Sequence, residues 1–152
     1  MPYVPLSTPA GIIYVQGTDE HIVWIGFSKP DAPEGTTSVI DRAVEQLTEY
    51  LNGKRREFDL PIKLEGSDLQ KAVCSSLMRI PYGETVTYKD VAADIGNPKA
   101  IRAVATAIGR NPISVVIPCH RVIGSDGKMR GFAGGIPFKE YLLRVEKWTP
   151  KR

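Results

Sequence analysis

Residues 87–110 read Thr87-Tyr88-Lys89-Asp90-Val91-Ala92-Ala93-Asp94-Ile95-Gly96-Asn97-Pro98-Lys99-Ala100-Ile101-Arg102-Ala103-Val104-Ala105-Thr106-Ala107-Ile108-Gly109-Arg110. This stretch predicts two helices joined by a tight turn. Thr87 with Asp90 three residues on forms a capping-box start, Asp standing for the usual Glu or Gln, and Gly96 stops the first helix. Asn97 as N-cap and Pro98 at the first helical position open the second, which continues to about Arg110. Two short helices about such a turn form a helix-turn-helix pattern, with the second as the candidate reader of nucleic acid. Ala100, Ala103 and Ala107 give that second helix a small-residue face, which allows close approach either to a neighbouring helix or to a polyanion. Lys99 and Arg102 beside it keep the second reading open.

Working outward, Ser67 can cap a preceding helix that buries Leu69, Ala72, Val73, Leu77 and Ile80 and ends at Pro81-Tyr82-Gly83. Gly66-Ser67 marks the boundary between a domain of residues 1–66 and one of residues 67–152. In the first, Gly11–Val15 and Ile22–Phe27 are β-branched and aromatic runs, with turn residues Gly17 to Glu20 between them. Ser28–Thr37 reads as a loop, and Ile40, Ala43, Val44, Leu47 and Leu51 follow helical spacing up to Gly53. Phe58–Leu64 alternates as a strand would, with Pro61 confining it to an edge. The fold class is therefore α+β, a small N-terminal α/β domain followed by a mostly helical one.

The chain has 152 residues, 42% hydrophobic and 24% charged, which is ordinary globular composition and argues against disorder. No apolar run reaches the roughly 18 residues of a membrane span. The N-terminal residues lack a signal-like pattern, so a cytoplasmic protein with free Cys74 and Cys119 is expected. Cys74, Cys119, His21 and His120 are the only Cys and His residues, and their spacing matches no zinc pattern, so no metal is expected. Net charge is uneven. Residues 1–66 carry 6 basic against 10 acidic side chains, whereas residues 67–152 carry 14 against 7. Only the C-terminal part is suited to a polyanion.

The chemistry concentrates where the apolar run Val115-Val116-Ile117, read as a buried strand, meets Pro118-Cys119-His120-Arg121. A thiol beside an imidazole and a guanidinium is in a setting that lowers its pKa and raises the nucleophilic thiolate. A space-filling buried cysteine is the competing reading. Adjacent residues of an extended chain point to opposite faces, so a water is the expected link between Cys119 and His120.

Pro118-Cys119-His120-Arg121-Val122 resembles the active-site signature of the O6-alkylguanine–DNA alkyltransferases, direct-reversal DNA repair proteins. Ile80–Thr85, Thr87-Tyr88, Asn97-Pro98, Arg102-Ala103-Val104, Asn111-Pro112, Gly134-Gly135 and Leu142–Glu146 resemble further family blocks in family order. The resemblance implies a ribonuclease H-like N-terminal domain and a winged-helix-like C-terminal one. It implies a single-turnover methyltransferase that binds double-stranded DNA in the minor groove, flips out O6-alkylguanine and moves the alkyl group irreversibly to its own cysteine, without a cofactor. Carried over by position, Cys119 is the acceptor, His120 a base acting through water, Glu146 its orienter and Tyr88 a proton donor to the leaving base. Arg102 would fill the gap left by the flipped nucleotide, with Ala103 on the groove-facing helix. Lys89, Asn97 and Ser125 match positions that touch the DNA backbone. Ser114, Val122, Phe132 and Ala133 would line the pocket, and Asn111 would link the reading helix to the active-site segment. The implied protein acts as a monomer, at the nucleoid or in the nucleus.

This chain departs from the family pattern at Phe132, where a tyrosine is usual, and at Leu69 and Cys74, where Phe and Trp are frequent. Cys74 reads as core filler. Three alternatives stand beside the transferase: a non-catalytic relative that binds alkylated DNA, which would replace Cys119; a cysteine hydrolase using Cys119, His120 and Glu146; and a helix-turn-helix regulator, for which the alanines of 100–107 offer no base-reading groups.

Overall fold

The computed structural model describes residues 1–149. Three strands, β1 (Tyr3–Thr8), β2 (Gly11–Gly17) and β3 (Ile22–Gly26), form an antiparallel sheet in that order. Ile13 and Val15 alternate into the core from the central strand, as a one-sided sheet requires. Strand β1 was not expected, because Pro5 sits inside it. β1 is an edge strand, so a residue without an N–H is tolerated there. Conversely, the strand expected at Phe58–Leu64 reduces to one parallel bridge, Ile22 with Ile62. Its two bonds run from Ile22 N–H to the Pro61 carbonyl (2.8 Å) and from Lys63 N–H to the Ile22 carbonyl (3.0 Å).

Helix α1 (Ser38–Leu51) lies against this sheet. Thr37 caps it by accepting from Ile40 N–H, and Gly53 follows with φ 73°, which glycine adopts without strain. Its buried face is Val39, Ile40, Ala43, Gln46, Leu47 and Tyr50, so the tyrosine rather than Leu51 turns fully inward at the end. The remainder is mostly helical: α2 (Asp68–Met78), α3 (Tyr88–Asp94), α4 (Ile101–Gly109) and α5 (Ile136–Val145). Ser67 caps α2 through Gln70 N–H, and both halves of the Thr87–Asp90 capping box form at α3. Ala72, expected inside, is exposed.

The second helix of the pair starts later than expected. Asn97 is not its N-cap; its carbonyl accepts from Ala100 N–H, closing a separate turn, and α4 begins at Ile101 after Ala100. The small-residue face also divides. Ala107 is buried, and its carbonyl accepts from the Gln70 side chain at 2.9 Å, while Ala103 faces solvent. Short strands β4 (Val86–Thr87) and β5 (Val122–Ile123) pair in parallel and bring Tyr88 beside the Cys119 segment. One continuous apolar core runs from Ile13 and Leu47 through Val73 and Val104 to Leu142, across residues 66–67. No helix among the described residues is long and apolar enough to cross a membrane.

Candidate active site

The segment before Cys119 is a turn, not the expected strand. Val115 has φ 73°, a left-handed conformation costly for a β-branched residue, and Ile117 N–H bonds back to the Ile113 carbonyl at 2.9 Å. Asn111 holds the turn at both ends: Nδ2 donates to the Ile117 carbonyl (2.7 Å) and Oδ1 accepts from Ile113 N–H (3.0 Å). A bridge from Ile25 to Ile113 fastens it to the N-terminal sheet. Cys119-His120-Arg121 then forms one 3-10 turn, which corrects the extended geometry assumed from the sequence.

Behind the thiol lies a buried carboxylate cluster. Glu146 caps the C-terminal end of α5 and is 3% exposed, so each of its acceptor positions requires a donor. Oε1 accepts from Gly83 N–H and Arg121 Nε, both at 2.9 Å. Oε2 accepts from His120 Nε2 (2.6 Å), from Arg121 Nη2 (3.0 Å) and, in a short bond, from the Tyr50 hydroxyl. Arg121 Nη1 donates to the Ile80 carbonyl at 2.7 Å. Burial alone would raise the Glu146 carboxyl, but the hydrogen bonds from His120 and Arg121 and the guanidinium charge outweigh it and hold the pKa at about 2. A carboxylate acceptor fixes the proton of His120 on Nε2. The other ring nitrogen, Nδ1, is buried and has no hydrogen-bond partner among the described residues.

The thiol itself departs from expectation. Burial pushes Cys119 up, and the side chains of Asn111 and Ser114 and the Lys139 ammonium only oppose this. Arg121, expected to activate the thiol, is committed to Glu146. Burial also pushes His120 down, over the opposing pull of Glu146. Both shifts favour the neutral form, thiol for Cys119 and imidazole for His120. Lys139 is 1% exposed, with its ammonium near the Arg130 carbonyl (3.4 Å), and burial lowers it to about 8.

An open groove runs past Tyr88, the neighbour of Cys119. Tyr88, Lys89, Ile101, Arg102, Ala105, Gly124, Ser125, Asp126, Arg130 and Gly131 line it. Tyr88 is half-buried, its phenol raised by burial and by the neighbouring Cys119 and partly offset by Arg130. The structure thus brings Tyr88, Lys89, Arg102 and Ser125 together, whereas Asn97 and Ala103 are exposed outside the groove wall.

The chain matches the DNA-binding domain of 6-O-methylguanine DNA methyltransferase over residues 68–148 and the ribonuclease-like domain of the same proteins over residues 1–64. It belongs to the 6-O-methylguanine DNA methyltransferase family. It is 42% identical over 153 residues to the methylated-DNA–protein-cysteine methyltransferase of Methanosarcina acetivorans, covering 96% of this chain and 98% of that protein. A protein of the same name from Mycolicibacterium paratuberculosis is 50% identical over 151 residues, 95% of this chain and 92% of that protein. The crystal structure of Mycobacterium tuberculosis OGT in complex with DNA superposes with a TM-score of 0.89 at 38% identity, over 97% of this chain and 93% of that one.

Within this methyltransferase fold, the residues expected to line a base pocket occupy distinct settings. Ser114 and Val122 are buried, and Ala133 is exposed. Phe132 packs on Phe27 of the N-terminal part, ring centroids 5.2 Å apart, and Phe27 packs edge-on against Phe138. Gly134 is required there because a Cβ would come within 2.9 Å of the Phe27 ring. Sequence reasoning missed Tyr50, Lys139 and Phe27. Their signals are weak, since an aromatic residue on an apolar face reads as core and a lysine within a helix reads as solvated. The available hint was one tyrosine three residues after Leu47 on the apolar face of α1, because a phenol placed in a core needs a partner.

Proposed function

We propose that the protein repairs DNA by moving an alkyl group, methyl in the simplest case, from O6-alkylguanine to Cys119. The observation that carries this reading is the arrangement around Cys119: the next residue, His120, is coupled to Glu146, and Tyr88, which neighbours the thiol, also lines the groove that holds Arg102. The alkyl carbon forms a bond to Sγ as its bond to O6 breaks. The thiol proton passes through a water to His120 Nδ1, and Glu146 holds the imidazole in the tautomer that can accept it. Tyr88 gives its proton to the departing base, which leaves as neutral guanine, and solvent restores both side chains. A thioether has no comparable leaving route, so each molecule acts once.

Duplex DNA is the partner, bound at the minor groove by the α3–α4 unit, with Arg102 replacing the flipped nucleotide. Lys89 and Ser125 stand where phosphates would pass, with Asn97 and Ala103 further along the same side. Ser114, Val122, Phe132 and Ala133 bound the base pocket, and Asn111 keeps the Cys119 turn in place. The protein works as a monomer made of residues 1–66 and 67–152, the first bracing the second, and acts in the compartment that holds the DNA. The test is stoichiometry: incubated with excess DNA containing O6-methylguanine, the protein should restore one guanine per molecule and stop. Continued turnover would overturn the reading.

A further inference from the structure

We propose that Tyr50, carried by helix α1, is a positioning residue of the transfer site: its phenol shares Glu146 Oε2 with His120 and so limits how much of that carboxylate's charge the imidazole receives. The inference rests on the transfer reading for its purpose, though not for its geometry.

A carboxylate oxygen offers two in-plane lone-pair directions. Oε2 nevertheless meets His120 Nε2, Arg121 Nη2 and the Tyr50 hydroxyl, and that hydroxyl lies 3.3 Å from His120 Nε2. Tyr50 and His120 thus compete for one acceptor. Of the donors to Oε2, the phenol alone is a permanently neutral group: burial and the Glu146 charge hold it far above its ordinary range, so it never titrates at working pH. It therefore draws on the carboxylate without adding a charge of its own.

An orienting carboxylate does two things for a histidine base: it fixes the tautomer, and it stabilises the imidazolium. The first helps this reaction at every pH. The second, taken too far, would leave His120 already protonated in the resting protein and unable to accept the Cys119 proton. A neutral donor on the shared oxygen keeps the first effect and trims the second. The groups facing the pair act in the same direction or are otherwise occupied. Arg121 from the 3-10 turn and Lys139 from α5 oppose the imidazolium. The Tyr82 hydroxyl donates to the Val145 carbonyl, and Arg56 lies over the Tyr82 ring, 5.0 Å from its centroid.

Packing alone does not explain the hydroxyl. The fully buried Tyr50 ring packs against Phe58 at 5.3 Å and edge-on to Tyr82 at 6.1 Å, and a phenylalanine would keep both contacts. The oxygen is what reaches Glu146, across 96 residues of sequence.

The chain has only two histidines, so the His120 ring can be followed by carbon-proton NMR across pH in the intact protein. In Tyr50→Phe the His120 midpoint should rise by about one pH unit, the scale expected for losing one hydrogen bond to a charged group. The acid limb of the transfer rate against pH should move up with it. DNA affinity should not change, because the exposed groove is untouched. An unchanged His120 midpoint would overturn the proposal, whatever happens to stability or overall rate. Should Tyr50→Phe not fold, 3-fluorotyrosine introduced at position 50 alone provides a stronger donor. The His120 midpoint should then fall, and no movement would again overturn the proposal. If the wild-type protein transferred no alkyl group, the functional reading would fail while the NMR titration still decided the role of Tyr50.

Discussion

The two sides of Cys119 are built on opposite physical terms. Behind it, Glu146, Arg121, His120 and Tyr50 form a buried cluster in which both carboxylate oxygens carry at least two donors. On the far side of Tyr88, Lys89, Arg102 and Ser125 stand exposed along a groove open to solvent. In the cluster the effective dielectric is low and bulk solvent is remote, so removing one group leaves others unsatisfied. In the groove, water and salt screen each charge, and every contact is replaceable. The chemistry should therefore be brittle on one side of the sulfur and graded on the other.

The largest expected effect is at the boundary itself. Cys119→Ser should abolish transfer while DNA binding persists, because oxygen is far less nucleophilic than sulfur and the volume change is small. Transfer by the serine variant at a comparable rate, in an assay of methyl loss from DNA, would remove Cys119 from its role.

Glu146→Gln strikes the buried side. It leaves the buried Arg121 without its counter-charge, so urea denaturation should show a loss of about 3–5 kcal/mol, and transfer should slow by about 10²–10⁴-fold. The same pair sets an acid limit in the unaltered protein. The Glu146 carboxyl is held below its unfolded value of 4.5, at about 2, so its contribution is complete above pH 4.5 and is lost as pH falls toward 2. Acid unfolding followed by circular dichroism should show that window, and Glu146→Gln should lack it.

Lys139→Met tests the charge nearest the thiol. Removing a buried ammonium that favours the thiolate should push the Cys119 thiol still higher and slow alkylation by a small-molecule thiol reagent about tenfold at neutral pH. Equal reactivity in the two proteins would show that Lys139 serves packing alone.

On the wet side the effects should shrink and become selective. Arg102→Ala should slow repair of duplex DNA yet leave reaction with free O6-benzylguanine nearly intact, since a free base needs no extrusion. Equal losses on both substrates would move Arg102 from the flip to the pocket. Smallest of all, Lys89→Ala should weaken binding alike on every sequence and reduce the slope of log K against log salt by about one. A large, salt-independent loss would erase the contrast between the two sides.

The same contrast explains what could be read from sequence. Local signals gave α2 and α3 directly, because Ser67 and the Thr87–Asp90 box act within one turn of chain. The start of α4 was misread because Asn97-Pro98 suits a helix start and a free-standing turn equally, and here the Asn97 carbonyl closes the turn. The contiguous Pro118–Val122 run was legible as a motif, but its backbone was not: packing of the 111–117 turn, held by Asn111, imposes the positive φ at Val115 against that residue's own preference. The groove residues Tyr88 and Arg102 could be carried over because they belong to recognisable blocks, and Lys89 and Ser125 because they follow such blocks closely along the chain. Tyr50 and Lys139 could not, since each enters the site from a helix whose periodicity describes only which face is buried, not what the buried polar atom meets.

The central claim is that Cys119 keeps the alkyl group. The most direct measurement is the intact mass of the protein after incubation with duplex DNA carrying O6-methylguanine, followed by peptide mapping. The expected result is an increase of one methyl group per molecule, located on Cys119 and absent with undamaged DNA. An unchanged mass while guanine is restored, or a methyl group on any other residue, would contradict the account.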